Sequence, residues 1–450
     1  MKLPRVLIAG TSSGSGKTTA TCVLLSLLKC RGIKVKACKC GPDYIDPMFH
    51  KRVSGISCTN LDPFFCDENL LKSLLCSDGG GQIAVIEGVM GYYDGTCQDG
   101  TDNSTFTVAD RTDSPVILVV DAKGSAASLI AVIEGFLHFV PESHIKGILF
   151  NRMTQLNYNS IKSLMCARFG DSVIPVGFIP NLPEECNIPS RHLGLVTAAE
   201  INDLTERLDK TADLCESTVD LDAILAIADK ASELDFIEPN VPHLGGINLA
   251  VAYDNAFCFY YDSTFKLLEK MGATISFFSP LADEEVPAGS HGLLIGGGYP
   301  ELYSDRLEAN VHSKESVCHA ISSGMPTIAE CGGFQYLGRE LDSHKMCGVL
   351  NHSSFKTDHL VRFGYITLNS KKAGLLGPAG TELKAHEFHY WDSSDNGDAF
   401  NARKPNGREW ECAVMTDTLY AGYPHIFLPA NIDSAEAFYK KCLKYKEGRR

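Results

Sequence analysis

The chain has 450 residues, too many for one ordinary hydrophobic core and enough for two or three domains of roughly 100–200 residues. Its 44% hydrophobic and 21% charged residues are those of a soluble globular protein. The formal net charge of -14 excludes a general nucleic-acid binder, which would carry a basic stripe. No run reaches the roughly 20 apolar residues of a membrane-spanning helix. The 17 cysteines, with no secretory signal ahead of the first apolar run, are expected to sit in a reducing cytoplasm. Cys38 and Cys40 make a C-x-C, not the C-x-x-C of a structural zinc site.

In chain order, short apolar runs alternate with helical patterns. Residues 5–10, 35–41, 82–88, 114–122, 145–152 and 172–180 read as buried strands, with helices expected over 17–29 and 125–139. That alternation implies right-handed crossovers and a mostly parallel sheet. Residues 200–240 are more polar, with no strong strand signal, and 236–246 are a proline- and glycine-rich linker. A second alternating series follows at 247–254, 273–280, 291–298 and 326–330, with Phe265, Leu268 and Met271 at helical spacing. The expectation is an α/β protein of two domains, 1–240 and 247–450, each built on a mostly parallel sheet.

The first strand runs into GTSSGSGKTT, residues 10–19. A P-loop reads G-x-x-x-x-G-K-[ST], and here the first glycine lies one place early. Gly10, Gly14 and Gly16 let backbone N–H groups turn toward an anion, and the helix starting at Lys17 adds a favourable dipole. Lys17 would reach the β and γ phosphates of ATP, and the Thr18 hydroxyl would ligate Mg2+. The longer spelling resembles dethiobiotin synthetase and its relatives. Partition-type ATPases have a lysine where this chain has Ser12.

Lys39, Asp43 and Asp46 follow the next strand, Glu87 ends another, and Asp94 lies in a glycine-flanked loop. Lysine and acids at strand ends, where open α/β sheets bind ligands, suit magnesium and a transferring phosphoryl group.

The segments KCGPDYIDPMFH (39–50), IEGVMGYYDG (86–95), ADRTDSPVILVVDAKG (109–124) and PSRHLGL (189–195) together resemble the cobyrinic acid a,c-diamide synthase family over nearly the whole chain. The resemblance implies a P-loop synthetase domain fused to a class I glutamine amidotransferase domain. ATP would phosphorylate the a and c acetate carboxylates of a tetrapyrrole, cobyrinic acid, and ammonia from L-glutamine would displace phosphate. On that reading Gly14, Gly16, Lys17, Thr18 and Asn151 bind the nucleotide, with Asn151 at the adenine or as a strand-end cap. Thr18, Glu87 and Asp43 hold the metal. Lys39, Asp43, Tyr44, Asp46 and Asp94 face the phosphoryl group and the substrate, and Tyr44 and Tyr92 are placed against the macrocycle or in the core. Nickel sirohydrochlorin and hydrogenobyrinic acid carry the same acetate arms and remain alternative substrates.

PTIAECGGFQYL (326–337) runs a strand into Cys331 and then a helix, the logic of a nucleophile elbow. It resembles the cysteine elbow of class I glutamine amidotransferases, and IGGGYPEL (295–302) resembles their oxyanion loop. The N–H groups of Gly297 and Gly332 would face the oxyanion. His425 is the expected base. Most class I amidotransferases spell this region H-P-E, and no acid follows here. The related H-x-H spelling becomes His425-Ile426-Phe427. His386 and His389 in KAHEFHYW (384–391) are expected to hydrogen-bond within the fold or close an interface. The implied enzyme is a cytoplasmic carbon–nitrogen ligase with no nucleic-acid or membrane partner, and a homodimer is one option for its assembly. The rival reading is a P-loop regulatory module with an inactive amidotransferase domain.

Overall fold

The computed structural model describes residues 1–77, 81–96, 100–187, 190–191, 194–195, 201 and 203–448. Every residue of the PSRHLGL motif therefore lies outside the described residues or is described by backbone alone. The chain divides into two compact units, Met1–Pro239 and Asn240–Arg450.

The first unit is built on seven strands: β1 (Arg5–Gly10), β2 (Val35–Cys40), β3 (Thr59–Leu61), β4 (Ile83–Glu87), β5 (Val116–Asp121), β6 (Ile145–Asn151) and β7 (Ile174–Ile179). They lie in the order β3-β2-β4-β1-β5-β6-β7, every pairing parallel. All residues of β1, β2 and β4 are buried, the signature of a sheet covered on both faces. β3 adds to the six strands expected; three residues are too few to give a periodic signal. Helix α1 (Lys17–Cys30) leaves the centre of the sheet directly after β1, and α2 (Ile45–Ser54) follows β2. The polar stretch 200–240 contains two helices. Leu204–Cys215 buries Leu204, Leu208, Ala212 and Cys215 at helical spacing, and Leu221–Asp229 is capped by the Asp220 carboxylate on Ala223 N–H. Residues 231–246 form neither helix nor strand.

In the second unit, a six-stranded sheet runs Ala273–Phe278, Ile247–Ala252, Gly292–Ile295, Thr327–Glu330, Leu419–Gly422 and Val414–Met415, parallel except for the last pair. Strand Ile247–Ala252 sends Ile247, Leu249 and Val251 into one core and Ala250 and Ala252 into another. The first core is closed by a five-stranded antiparallel sheet in which Glu382–His389 lies between Arg362–Ser370 and His425–Ile426. This antiparallel half, from about residue 340 to 412, had no counterpart in the strand expectations. No helix among the described residues is long and apolar enough to cross a membrane.

Candidate active site

The first constellation gathers at the carboxyl ends of β1, β2 and β4. Gly16 has φ 101°, the left-handed region, and a Cβ there would stand 2.2 Å from Asn151 Nδ2. The Asn151 amide donates to the Ser15 carbonyl at 3.0 Å, so this strand-end side chain braces the loop from beneath. Lys17 Nζ donates to the Ser12 carbonyl at 3.1 Å, curled over the loop it would leave for a phosphate. Burial and the neighbouring Lys39 lower its pKa to about 8, partly offset by Glu87, Asp46 and Asp94.

Glu87, fully buried, is the hub. Its Oε1 accepts from the Thr18 hydroxyl at 2.6 Å and from Lys39 Nζ at 3.2 Å, and its Oε2 meets His50 Nε2 at 2.6 Å. Burial pushes this carboxyl up, but Lys39, His50 and Thr18 together hold it below the ordinary carboxylate range. Lys39 also contacts Asp46 at 2.5 Å and Asp43 at 3.9 Å and donates to the Gly88 carbonyl. Burial would discharge Lys39, yet Asp46, Glu87 and Asp43 keep it protonated. Asp46 is pushed up by burial and by Asp43 and Glu87, the carboxyl group in excess. Asp43 Oδ1 accepts from Ile45 and Asp46 N–H and so fixes the first turn of α2. Asp94 is exposed in its loop and accepts from Gly91 N–H at 2.8 Å. Tyr44 is half-buried at the start of α2. Tyr92 is a core residue: it is fully buried and its hydroxyl donates to the Ser143 carbonyl.

His50 went unnoticed in the sequence, although it stands four residues after Asp46 on the same face of α2. Four carboxylates, Asp43, Asp46, Glu87 and Asp94, against Lys17 and Lys39 leave a formal excess of negative charge. Among the described residues, no three His, Cys, Asp or Glu side chains are placed to hold a metal between them. Magnesium takes one or two protein oxygens and completes its shell with phosphate and water, and Thr18 and Asp43 are the groups that could offer them. The Thr18 hydroxyl donates its hydrogen bond to Glu87, which leaves its oxygen lone pairs available to such a cation.

The second constellation centres on Cys331. Strand Thr327–Glu330 ends in Cys331 at φ 50°, ψ -102°, and a helix begins at Gly332. A side chain held at positive φ between strand and helix is the strained turn that exposes a nucleophile. Gly333 N–H donates to the Gly296 carbonyl, tying the elbow to the Gly296–Gly298 loop. A Cβ on Gly297 would lie 2.5 Å from His425 Cε1 and 3.3 Å from Cys331 Cβ, and one on Gly332 would lie 3.2 Å from Gly298 N. Gly297, Gly332, Cys331 and His425 thus meet in one place, where only glycine fits in the loop.

His425 is fully buried and hydrogen-bonded to Cys331. Phe427, in the place of the second histidine of H-x-H, is a core ring packed edge-on against Tyr261. The acid absent after His425 comes from the other side of the nucleophile. Glu330 Oε2 lies 3.6 Å from His425 Nδ1, and Glu330 Oε1 accepts from Ile426 N–H at 2.9 Å. Burial would discharge His425, but Cys331 and Glu330 raise its pKa to about 10. His386 pairs in register with His425, and burial lowers its pKa to about 3. His389 stacks on Tyr423 and its Nδ1 meets the Trp391 carbonyl.

Comparison with known proteins matches these two halves separately and the whole chain together. Residues 6–196 match the CobQ/CobB/MinD/ParA nucleotide binding domain, and residues 248–431 match the CobB/CobQ-like glutamine amidotransferase domain. A protein of Listeria monocytogenes serotype 4b named cobyrinate a,c-diamide synthase is 37% identical, over 95% of this chain and 97% of its own. Proteins of the same name from Thermoplasma volcanium and Priestia megaterium are 36% and 35% identical. The alignments cover 100% and 99% of this chain, and 99% and 98% of theirs. The chain belongs to the CbiA/CobB family. The CbiA/CobB membership joins both constellations in one protein whose relatives align over nearly their full lengths.

Proposed function

We propose that the chain is a cytoplasmic cobyrinate a,c-diamide synthase, a carbon–nitrogen ligase using ATP and glutamine, with its synthetase domain in residues 1–240 and its amidotransferase domain in 247–450. The observation that carries this reading is one chain holding both a lysine–carboxylate cradle behind a P-loop and a cysteine hydrogen-bonded to a histidine at a strand-to-helix elbow.

In the amidotransferase unit the Cys331 sulfur attacks the carboxamide carbon of glutamine. The Gly297 and Gly332 N–H groups face the oxygen that gains charge. His425, protonated at neutral pH, gives its proton to the departing nitrogen, and Glu330 holds the ring by Nδ1. Ammonia leaves and a glutamyl thioester remains. Water, losing a proton to His425, then releases glutamate and frees the sulfur, with His425 protonated as at the start.

In the synthetase unit a substrate carboxylate oxygen takes the γ-phosphoryl group of ATP, and ADP leaves. Ammonia then adds to the acyl carbon, and phosphate departs with the oxygen it received. Lys17 and Lys39 hold charge next to the transferring group, and Glu87 keeps Lys39 protonated and Thr18 oriented. Thr18, with Glu87 behind it, and Asp43 would hold magnesium, whose chemistry there is neutralisation of phosphate charge. Asp46, Asp94 and Tyr44 line the side from which the substrate carboxylate would enter, and Asn151 acts through the loop it braces.

The test is mass spectrometry of cobyrinic acid incubated with the protein, ATP, magnesium and either glutamine or ammonia. Two successive amidations with either donor are expected. Amidation with ammonia alone would remove the Cys331–His425 assignment. No product with either donor would remove cobyrinic acid, and nickel sirohydrochlorin would be tried next.

A further inference from the structure

Three consecutive glycines, Gly296, Gly297 and Gly298, form the loop that faces Cys331, and each is small for a different neighbour. A Cβ on Gly297 would meet His425. One on Gly298, held at φ 153°, would stand 2.1 Å from the Ala256 carbonyl oxygen, and one on Gly296 would stand 2.6 Å from Cζ of Tyr260. The loop therefore packs backbone-first against residues 256–260, a segment to which glutamine hydrolysis has so far assigned nothing.

Within that segment Tyr260 makes the closest tie. Its hydroxyl accepts from Gly296 N–H at 2.7 Å and donates to the Ala252 carbonyl. The direction is fixed by chemistry: an amide N–H only donates, a carbonyl oxygen only accepts, and a phenol has one hydrogen. Gly296 is the first residue past strand Gly292–Ile295, and Ala252 is the last of its parallel neighbour Ile247–Ala252. The phenol thus bridges two strand ends at the point where the loop departs. Burial pushes the Tyr260 pKa well above the usual phenol value, so the hydrogen stays in place at neutral pH. The ring is itself held by Phe265 and Tyr253, with centroids at 5.2 and 5.9 Å.

The rest of the loop is tied by backbone. The Gly296 carbonyl accepts from Gly333 N–H at 3.0 Å, and the Gly297 carbonyl accepts from Phe259 N–H at 3.0 Å. The first of these ties registers the loop against the turn that carries Cys331. Of the three anchors only Tyr260 is a side chain, so it alone can be removed without altering the backbone. A donor already held in place costs no reorganisation when charge develops on the substrate.

We propose that Tyr260 is a positioning residue for glutamine hydrolysis, its hydroxyl clamping Gly296 so that the Gly296–Gly298 loop is preset to meet the oxyanion. When the Cys331 sulfur bonds to the carboxamide carbon, the π pair of the C=O bond moves onto oxygen, and the loop must already face it. The inference rests on the amidotransferase reading and adds a residue to it.

Tyr260→Phe in the full-length protein removes the hydroxyl and keeps the ring. The kcat of glutamate release should fall roughly tenfold with KM near native, less than the hundredfold or more lost with an oxyanion donor itself. Two thiol reagents separate positioning from a loosened fold. L-Glutamate γ-semialdehyde adds to Cys331 as a hemithioacetal, whose former carbonyl oxygen takes the oxyanion position. Iodoacetamide alkylates the same sulfur by displacing iodide from a saturated carbon, with no oxyanion. In Tyr260→Phe the affinity for the aldehyde should fall in proportion to kcat. Alkylation of Cys331, read by peptide mass spectrometry, and amidation with ammonia should stay native. Phe265→Leu thins the packing of the Tyr260 ring and leaves its hydroxyl, so it should lower the melting temperature and keep the native aldehyde affinity. Native kcat and aldehyde affinity in Tyr260→Phe would overturn the proposal. So would alkylation that fell in parallel, or an equal loss of aldehyde affinity in Phe265→Leu. Native protein that released no glutamate and bound no aldehyde would overturn the amidotransferase reading, and the proposal with it.

Discussion

Glu330→Gln isolates the contact to the proposed base that stands outside the expected motif. Glutamine keeps an oxygen for Ile426 N–H, so the short His425–Ile426 strand stays paired, but the charge 3.6 Å from His425 Nδ1 is gone. At 3.6 Å the contact is an ion pair, and one or two pKa units of stabilisation of the imidazolium correspond to about 1.4–2.7 kcal/mol. Lost from the transition state, that is roughly a tenfold to hundredfold fall in kcat/KM for glutamine hydrolysis. The same substitution has a pH signature. The pKa of His425 is raised, to about 10, and Glu330 is one of the groups raising it. The imidazolium form is therefore present at neutral pH and lost as pH rises through that value. Its contribution to stability is likewise complete below the unfolded histidine pKa, about 6.5, and lost on the way up to about 10. Removing Glu330 should move the alkaline limb of glutamate release to lower pH. The assay is glutamate release against pH beside amidation with ammonia, which should be unchanged. A native-like rate with an unmoved alkaline limb would refute the assignment of Glu330 to His425.

Three further outcomes are expected. Cys331→Ala should abolish amidation with glutamine and leave amidation with ammonia, and full glutamine-dependent synthesis by that variant would mean another nucleophile. Lys17→Ala should abolish both, and in the native protein ATP affinity should weaken as pH rises through about 8, where the buried Lys17 loses its charge. Calorimetry in buffers of different ionisation enthalpy would detect the proton taken up on binding above that pH, and its absence would place Lys17 outside the phosphate site. Gly16→Ala asks a side chain to adopt φ 101° and to occupy space 2.2 Å from Asn151 Nδ2. Backbone strain alone costs about 1–3 kcal/mol, so a lower melting temperature and weak ATP binding should appear together, with glutaminase activity spared.

What the sequence disclosed was local, and what it withheld depends on pairing between distant strands. The P-loop glycines, Lys17 and Thr18 act within ten residues of one another, and the Cys331 elbow is complete within a strand, a turn and a helix. Glu330 was passed over because the acid of a cysteine–histidine pair was sought after the histidine. Side chains alternate along Thr327–Glu330, so Ile328 and Glu330 point to the core that the antiparallel sheet closes, and that sheet carries His425. The sheet itself left little trace, since several of its strands have two to four residues and it depends on partners up to about 40 residues away. Helices 204–215 and 221–229 were hidden in a segment whose polar residues are simply their outer faces.

The same dependence on distant pairing explains why the two sites treat buried charge differently. In the synthetase unit every buried carboxylate oxygen of Glu87 is satisfied, by Thr18, Lys39 and His50 from three separate segments. Such a hub fixes geometry, and Asp43 and Asp46 are gathered beside it around Lys39. In the amidotransferase unit, Glu330 is half-satisfied by Ile426 and shares the rest with His425, whereas Glu387 has no hydrogen-bond donor among the described residues. Burial answers the missing donor by raising the Glu387 pKa to about 7, so that part of the desolvation cost is relieved by protonation.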